Sequence, residues 1–383
     1  MQYSKLQNEK LHHFCDLYHI CHISSVIPSF NGANRCKLTG LFLKLERKRV
    51  KVNKLPFLIT ILFPLFMSAQ NEVCFDIESN PDPFNPALTS FPKYINVLDC
   101  IHIYGESQIS DAKMLHAAAV AAELLDNNED GIVDDPAVEA SLRNLDTMMP
   151  LFNSEWSSGQ DNVFDYYDGC LGAVLYNNEI DPSQPGHWGD DASVEEILHT
   201  INTCGQLEVY PQAFGLQPNS SLMSDAMDIA RGGQFINIPN NYPEEAWYHY
   251  DDWTCDYQCM AMEYLYWCIV SDMGILNDTQ TCNGIDNEWE LCSPTLFEST
   301  DLAMFAIVND PQYKLPQIAP DGNYCPAESM QGDINGDGII NILDIIATVN
   351  LVLDGEFNSD ADLNGDYNVD ILDVILIVNI ILG

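Results

Sequence analysis

The segment DINGDGIINILD at residues 333–344 recurs as DLNGDYNVDILD at residues 362–373, so the end of the chain is a tandem repeat. Each copy has an oxygen-bearing side chain at loop positions 1, 3, 5, 9 and 12, and the backbone carbonyl of position 7 adds another oxygen. A Ca²⁺ ion takes six to eight oxygen ligands, and this spacing wraps a loop around one ion. The predicted calcium ligands are Asp333, Asn335, Asp337, Ile339, Asn341 and Asp344 in the first loop and Asp362, Asn364, Asp366, Asn368, Asp370 and Asp373 in the second.

Two features distinguish these loops from an ordinary EF-hand. Asp344 and Asp373 stand at position 12, where an EF-hand has a long bidentate Glu, and no helix pattern precedes the first loop. Residues 332–383 therefore resemble a dockerin, a small all-α module that folds around calcium and docks an enzyme onto a cohesin. The resemblance implies that the partner is a cohesin-bearing scaffold or cell-surface protein. The alternative, a pair of acidic surface turns, does not explain why the ligand positions repeat in register.

The resemblance also implies which residues contact the partner, because dockerins bind cohesin through the residues just before the last calcium ligand. Here these are Ile342 and Leu343 in the first copy and Ile371 and Leu372 in the second. Since the two pairs are identical, we expect an apolar interface that works in two orientations related by a half-turn. Position 6 of such a loop favours a left-handed backbone, which Gly338 adopts easily and the residue of the second copy, Tyr367, does not.

The front of the chain has the features of an export signal. Residues 50–70 contain two lysines, then an apolar run and a small-residue end, which is the pattern of a secretory signal peptide. Residues 1–49 are expected to be translated upstream sequence, that is, a mis-called start. The alternative is a membrane anchor with a cytoplasmic tail. The apolar run at 371–382 is too short to cross a bilayer, so no stable membrane insertion is expected there.

Charge excludes several classes of partner. The chain of 383 residues carries a formal net charge of −42, and ten of its fifteen basic residues precede residue 55. The remaining part repels nucleic acid and anionic lipid, so neither is expected as a partner. An acidic surface of this kind suits calcium binding, high salt or both.

Cysteine usage agrees with export. Three of the thirteen cysteines lie before residue 50, and ten remain in the predicted secreted protein. An even number in an exported chain predicts disulfides, up to five, and Cys282–Cys292 is the best single pair because it brackets a polar loop. A zinc cluster is a weaker alternative because the sequence has no Cys-x-x-Cys pair.

Residues 71–325 are long enough for one substantial core, and a short linker at 326–331 separates them from the dockerin-like tail. The pattern along this middle region predicts an α+β fold that is mainly α and contains disulfides. The expected strands are Tyr94–Tyr104, Gly169–Tyr176 and Gln234–Ile238, and the expected helices are Asp111–Leu125, Ser193–Thr203 and Asp256–Met273. A Ser193…Glu196 capping box is expected to begin the second of these helices.

A third calcium-like loop follows the helix predicted at 111–125. Its candidate ligands are Asp126, Asn128, Asp130 and Asp134, with a glycine at position 6. Position 12 is Ala137, which cannot bind a cation, so Asp135 or Glu139 would have to replace it. The alternative is an acidic turn with a glycine at its tip.

Candidate catalytic chemistry lies in the sequence EEILH at residues 195–199. Glu195 and His199 lie on one face of a helix, and the string is similar to the zinc-peptidase motif His-Glu-x-x-His with its first His replaced by Glu. The similarity to gluzincin-type metallopeptidases implies that Glu195 and His199 bind zinc and that Glu196 is the general base. Glu263, a lone acid in an almost wholly apolar helix, is the candidate third ligand.

Structural roles explain the same residues. In this alternative, Glu196 serves only as the last residue of the capping box, and His199 forms an ion pair with Glu195. His249 is a competing third ligand, and His187 is a candidate for lining a cleft. A further group at helical spacing, Asp225, Asp228 and Arg231, is expected to form an ion-paired face.

Three functions remain open. The first is a secreted hydrolase that docks through cohesin into an extracellular complex that degrades polysaccharides. This substrate class is inferred only from the association of dockerins with such enzymes. The second is a zinc metallopeptidase, and the third is a non-catalytic binding module. The sequence has no nucleophile elbow, no phosphate-binding glycine loop and no dinucleotide fingerprint.

Overall fold

The structure is a computed structural model that describes residues 73–326, 331–335, 339–355 and 357–382. The predicted signal peptide (50–70), the upstream segment (1–49), most of the linker and the ligand Asp337 lie outside the described residues. Within the described part, the fold is mixed α+β and mainly helical, as the sequence predicts. No helix there has the length and apolar character needed to cross a membrane.

A small sheet of five strands organises the first half of the middle region. The strands run in the spatial order β1-β2-β3-β4-β5; β1, β2 and β3 are antiparallel, whereas β3, β4 and β5 are parallel. Parallel strands need crossover connections, and helices between the strands supply them. The strands are β1 (Glu78–Ser79), β2 (Lys93–Val97), β3 (Ile101–Gly105), β4 (Met148–Phe152) and β5 (Leu175–Tyr176).

Three strand predictions need correction. The strand predicted at 94–104 is two strands joined by a tight turn, because Leu98 and Asp99 adopt positive φ angles of 48° and 54°. Of the segment 169–176, only the last two residues form a strand. No strand forms at 234–238, where a single bridge joins Asn237 to Asp256 and the carbonyl of Phe235 turns toward a buried arginine instead.

Local capping decides where two of the long helices begin. The helix predicted at 111–125 has those bounds, because the Ser110 side chain accepts a hydrogen bond from the Lys113 amide. The helix after Asp256 begins where that carboxylate caps two amides, and it ends at Gly274, which has a φ of 78°. The helices of the middle region are α1 (Asp111–Leu125), α2 (Pro136–Asn144), α3 (Gly159–Tyr166), α4 (Ser193–Ile201), α5 (Leu207–Val209), α6 (Pro211–Phe214), α7 (Leu222–Ala230), α8 (Tyr257–Met273), α9 (Thr279–Ile285), α10 (Pro294–Thr300) and α11 (Leu302–Val308).

Helix α4 differs from its prediction at both ends. The capping box predicted for Ser193 and Glu196 is wrong, because Ala192 is the N-cap and the Ser193 hydroxyl donates to Asp191 at 2.8 Å. At the other end, the chain continues from Ile201 into a π-helical turn at Asn202–Gln206. Such turns widen a helix locally and are frequent at functional sites.

The core lies between the sheet and the helices, with the alanine-rich α1 buried against β2, β3 and α4. Four cysteine pairs lie at disulfide-bonding distance, and the predicted pair Cys282–Cys292 is one of them. The other three are Cys74–Cys325, Cys170–Cys204 and Cys255–Cys259. The remaining two cysteines of the described region, Cys100 and Cys268, are buried and unpaired.

In the tail, two helices follow the two predicted calcium loops. They are α12 (Ile342–Asp354) and α13 (Ile371–Leu382), and they pack against each other. A backbone hydrogen bond also joins the two repeats of the tail, because the Gly332 amide donates to the Asp360 carbonyl at 2.9 Å.

Candidate metal centre

Helices α4 and α8 bring together the three predicted zinc ligands. Residues four apart lie on one face of a helix, so α4 presents Glu195 and His199 on the same side. Helix α8 packs against α4 and carries Glu263 among apolar side chains. One potential ligand atom from each of the three residues lies within 4.8 Å of the others.

The distances and burial within this group suit a bound metal ion. The Nε2 atom of His199 lies 3.6 Å from Oε2 of Glu263, and their side chains are 5% and 6% exposed. The same Nε2 atom is buried and has no hydrogen-bond partner among the described residues. A buried polar atom of this kind usually has a partner, and a metal ion between the imidazole and the carboxylates would provide one.

Burial also shifts the protonation of the three residues. It raises the pKa of Glu263 to about 8, although the nearby imidazole of His199 opposes the rise. Burial, together with the charges of Glu196 and Glu288, raises the pKa of Glu195 well above its usual range. The pKa of His199 is lowered because burial disfavours the imidazolium. A neutral imidazole is the form that binds a metal, and a divalent cation would stabilise the charged form of both carboxylates.

Glu196, the candidate general base, lies beside this group. Its Oε2 atom is 3.6 Å from Nδ1 of His199, on the opposite side of the imidazole from Glu263, and its side chain is 14% exposed. Burial, followed by the charge of Glu179, raises the pKa of Glu196 to about 8. A carboxylate with a pKa near neutrality can both accept and return a proton.

Two further carboxylates at this centre were missed by the sequence analysis. Glu288 accepts a hydrogen bond from the Trp267 indole at 2.9 Å, and burial raises its pKa to about 7. Glu179 ends the short 3-10 turn that follows β5, and its carbonyl accepts from the amide of Ala192 at 2.8 Å, just before α4 begins. Neither residue belongs to a recognisable motif, and only the tertiary fold brings them to α4.

The competing histidines are engaged elsewhere. His249 contacts the carbonyl of Ala246 through Nε2 at 2.8 Å, and His187 lies 2.9 Å from Asp190. Neither residue belongs to the group of potential ligands.

The predicted internal calcium loop has a well-defined backbone conformation. Asp126 accepts hydrogen bonds from the amides of Asp130 and Gly131. The side chains at loop positions 3 and 5 each accept from the backbone amide two residues further along the chain. Glu129 and Gly131 have positive φ angles of 56° and 87°. The side chains proposed to replace position 12 are used otherwise, because Asp135 caps α2 and Glu139 pairs with Arg143.

The second tail loop repeats this pattern residue for residue. Asp362 accepts hydrogen bonds from the amides of Asp366 and Tyr367. The side chains at positions 3 and 5 again accept from the backbone amide two residues further along the chain. Gly365 and Tyr367 have positive φ angles of 72° and 64°, so Tyr367 adopts the left-handed conformation that was expected to be unfavourable for it. The last predicted ligand, Asp373, accepts from the amides of Asn364 and Asp370.

The first tail loop is described only in part, but its last predicted ligand accepts backbone hydrogen bonds in the same way. Asp344 is buried and accepts from the amides of Ile334, Asn335 and Asn341. The four residues predicted to contact cohesin are all exposed, by 66% for Ile342, 52% for Leu343, 61% for Ile371 and 54% for Leu372.

Comparison with known proteins gives no match: no protein-family description, no curated sequence and no solved structure is similar enough to this chain to indicate a family.

Proposed function

We propose that the middle region is a metal-dependent hydrolase of the metallopeptidase type. Glu195, His199 and Glu263 would hold the metal ion, and Glu196 would act as general base. The observation that carries this proposal is the convergence of three potential ligand atoms from two helices within 4.8 Å of one another, with His199 and Glu263 buried and Glu195 half-buried. A bound divalent cation would supply Lewis-acid polarisation and a more acidic water molecule.

The residues of the chain account for the remaining chemistry. Glu196 would accept the proton of the attacking water and return it to the leaving amine, which its pKa near neutrality permits. The imidazole of His199 lies between Glu196 and Glu263, 3.6 Å from each, so each ring nitrogen faces a carboxylate. Zinc is the metal we propose, because one imidazole and carboxylates form a ligand set that zinc enzymes use.

A peptidase is favoured over a polysaccharide hydrolase by the same geometry. Sugar hydrolysis needs two carboxyl groups and no histidine, whereas here an imidazole lies at the centre of the group. The polysaccharide assignment is supported only by the association of dockerins with such enzymes, which is an analogy.

The direct test combines metal analysis with a Glu196→Gln variant. We expect the secreted chain, purified without chelator, to contain about one zinc ion beyond its calcium and to hydrolyse peptides. Glu196→Gln should keep the zinc and lose roughly 10²–10⁴-fold in kcat. The matched control is Glu298→Gln, at an exposed position on α10. Full peptidase activity of the Glu196→Gln protein, or zinc-free protein with unchanged activity, would refute the proposal.

A second function is supported by the tail. We propose that residues 332–383 form a calcium-dependent docking module for a cohesin-bearing partner and that the protein acts outside the cell. The supporting observation is that Ile342, Leu343, Ile371 and Leu372 are apolar yet exposed. Large apolar side chains exposed in a cluster are typical of a protein-binding surface. Four disulfide-distance pairs are compatible with an extracellular protein.

Calcium is the cofactor we propose for both tail loops and for the loop at 126–134. In each fully described loop, the first aspartate accepts hydrogen bonds from the amides of positions 5 and 6, so the two loops share one backbone conformation. Hard oxygen donors at this spacing suit Ca²⁺ better than a transition metal.

A further inference from the structure

Glu288, beside the candidate metal centre, has one carboxylate oxygen engaged and the other open. Its Oε1 atom accepts a hydrogen bond from the Trp267 indole at 2.9 Å. Its Oε2 atom accepts no hydrogen bond and forms no ion pair within the part of the chain that the structure describes, and the residue is half-buried rather than enclosed. This oxygen is therefore available to a ligand that approaches from solvent.

Helix α8 holds Glu288 close to the candidate metal ligand Glu263. Trp267 follows Glu263 by four residues, so both side chains lie on one face of α8, and Glu288 is bonded to the Trp267 indole. The electrostatics agree with this placement, because the charge of Glu288 raises the pKa of both Glu195 and Glu263. The three carboxylates therefore belong to one electrostatic environment.

The backbone around Glu288 is firmly held. Its carbonyl accepts a hydrogen bond from the His249 amide at 2.7 Å, and the next residue, Trp289, forms an antiparallel bridge with Tyr248. Trp289 is fully buried, and its indole donates to the Ser271 hydroxyl at 2.8 Å. A carboxylate on a fixed backbone loses little conformational freedom when it binds a ligand, so this position is suited to recognition.

A metal ion at the proposed site would leave the charge of Glu288 uncompensated. Glu288 does not belong to the group of potential ligands, which consists of Glu195, His199 and Glu263. A divalent cation balances the two negative charges of Glu195 and Glu263 and no more. The charge of Glu288 then remains beside the centre, together with that of Glu196.

Further acidic residues strengthen the negative field at Glu288. Burial first, and then the charges of Asp251 and Asp252, raise the pKa of Glu288 to about 7, although the bond from Trp267 opposes the rise. Glu290, two residues further along the chain, is acidic as well. A positively charged ligand would relieve this repulsion, whereas an acidic peptide or an acidic polymer would add to it.

The chain itself supplies no cation to Glu288 in its described part. The middle region has five lysine and arginine residues, and none of them forms an ion pair with Glu288: Lys93, Lys113, Arg143, Arg231 and Lys314. The ion-paired face predicted for Asp225, Asp228 and Arg231 is wrong. Arg231 is buried and donates to the Phe235 carbonyl at 2.8 Å instead. A cation that pairs with Glu288 would therefore come from another molecule.

We propose that the open oxygen of Glu288 binds a positively charged group of a peptide substrate, so that the enzyme prefers a cation next to the bond that it cleaves. This inference rests on the proposed peptidase function. A lysine or arginine side chain and the ammonium group of a chain N-terminus offer a carboxylate the same chemistry, a charge-assisted hydrogen bond. Glu288 is then a specificity-determining residue, and Glu196 and the metal ligands keep the roles proposed above.

The first test compares three peptides of otherwise equal sequence. One has blocked ends and a lysine next to the cleaved bond, placed on either side in turn. The second has blocked ends and norleucine there, and the third has norleucine with a free amino group on that residue. We expect the zinc-treated chain to cleave one of the charged peptides with a kcat/KM roughly ten- to a hundredfold above that of the neutral peptide.

The three peptides also identify the source of the charge. A preference for the first peptide indicates a basic side chain, and a preference for the third indicates the chain terminus. Equal cleavage of all three overturns the inference, whereas the metallopeptidase proposal stands as long as Glu196→Gln abolishes the cleavage.

Variants assign the preference to Glu288. Glu288→Gln keeps the size of the side chain and an oxygen for the Trp267 indole but removes the charge, so the ratio of charged to neutral cleavage should fall close to one. The matched control is Glu290→Gln, which removes one negative charge from a side chain that is 51% exposed. If Glu290→Gln lowers the ratio as much, or if folded Glu288→Gln retains it, the inference is wrong.

A binding measurement covers the case in which no peptide is cleaved. Titration calorimetry of the chain in the presence of zinc uses N-acetyl-lysine amide, N-acetyl-norleucine amide and norleucine amide, whose amino group is free. Binding of a charged compound but not of the neutral one, abolished by Glu288→Gln and retained by Glu290→Gln, supports the inference even if the proposed chemistry fails. Equal binding of all three compounds, or binding of none, overturns it. Should Glu288→Gln fail to fold, the three compounds on the unaltered chain decide.

Discussion

The Nε2 atom of His116 lies 3.0 Å from Oδ2 of Asp191, and both side chains are buried. Asp191 also accepts hydrogen bonds from the amides of Asp181 and Gly186 and from the hydroxyl of Ser193. A single carboxylate therefore ties the core helix α1 to the loop that leads into α4. The position of Glu195 and His199 depends on this connection, because α4 begins at Ser193.

We expect Asp191→Asn to destabilise the fold and the metal centre together. The asparagine side chain has one oxygen, whereas the donors around Asp191 use both of its carboxylate oxygens. In the variant, some of these buried donors therefore lose their acceptor. A loss of about 2–4 kcal/mol in the free energy of unfolding is expected, with weaker zinc binding. Denaturant unfolding and a zinc titration measure the two effects. The control is Asp190→Asn, an exposed neighbour, and an Asp191→Asn protein as stable as this control would contradict the expectation.

The pKa of Glu263 predicts how stability depends on pH. Its pKa is about 8 in the folded protein against 4.5 for an unperturbed glutamate, so folding favours the protonated form. The stabilising contribution of this group is therefore fully present below about pH 4.5 and is lost as the pH rises through about 8. For chelator-treated protein, we expect this group to cost on the order of 5 kcal/mol between those limits, and Glu263→Gln to remove that part of the dependence.

Zinc should reverse this dependence in the intact protein. Because the metal competes with protons for the carboxylates and the imidazole, the rise in Tm on adding zinc should be larger at about pH 8 than at about pH 6. Differential scanning calorimetry with and without zinc measures both effects. A Tm increase that does not change with pH, or identical pH profiles for the wild type and Glu263→Gln without metal, would rule out the proposed ligand.

The docking surface predicts a selective loss of partner binding. Leu343 and Leu372 are 52% and 54% exposed, so replacing both with Asp should leave the fold intact but place charges in the apolar interface. We expect cohesin binding to become undetectable in the double variant, measured by surface plasmon resonance against a panel of cohesins, while calcium binding is retained. Leu302→Asp, at the start of α11 where the leucine is 68% exposed, is the control. Cohesin binding at wild-type strength by the double variant would exclude this surface as the interface.

Local signals in the sequence predicted the parts of the fold that depend on neighbours along the chain. Helix α1 was predicted with its observed bounds, because an alanine-rich run follows a good N-cap at Ser110. Helix α8 was predicted to within one residue from its apolar composition and the cap at Asp256. The grouping of Glu195, His199 and Glu263 followed from helical spacing and from the anomaly of a lone acid in an apolar helix.

Features that depend on distant partners were not predictable in this way. Ser193 looked like a capping residue, but its hydroxyl turns back to Asp191, whose position is fixed by a histidine from another helix. Arg231 looked like a member of a surface ion pair, but the aromatic residues that follow it along the chain enclose it. The turn at Leu98 and Asp99 has no glycine or asparagine to indicate a positive φ angle, so two strands were taken for one.

The loop at 126–134 is expected to bind one calcium ion, and two variants can show whether binding depends on the ligand positions or only on the negative charge of the loop. Asp130 occupies a ligand position, whereas the adjacent Glu129 is exposed and lies at a position that provides no ligand. We expect Asp130→Ala to remove one bound calcium ion per chain and Glu129→Gln, which also removes one negative charge, to remove none. Isothermal titration calorimetry of the full chain counts the ions. The loop is linked to the end of the middle region, because the Tyr324 hydroxyl donates to Asp126 and the next residue pairs with Cys74. Loss of the ion should therefore also lower the Tm of the middle region, and an unchanged ion count in Asp130→Ala would show that this loop is only an acidic turn.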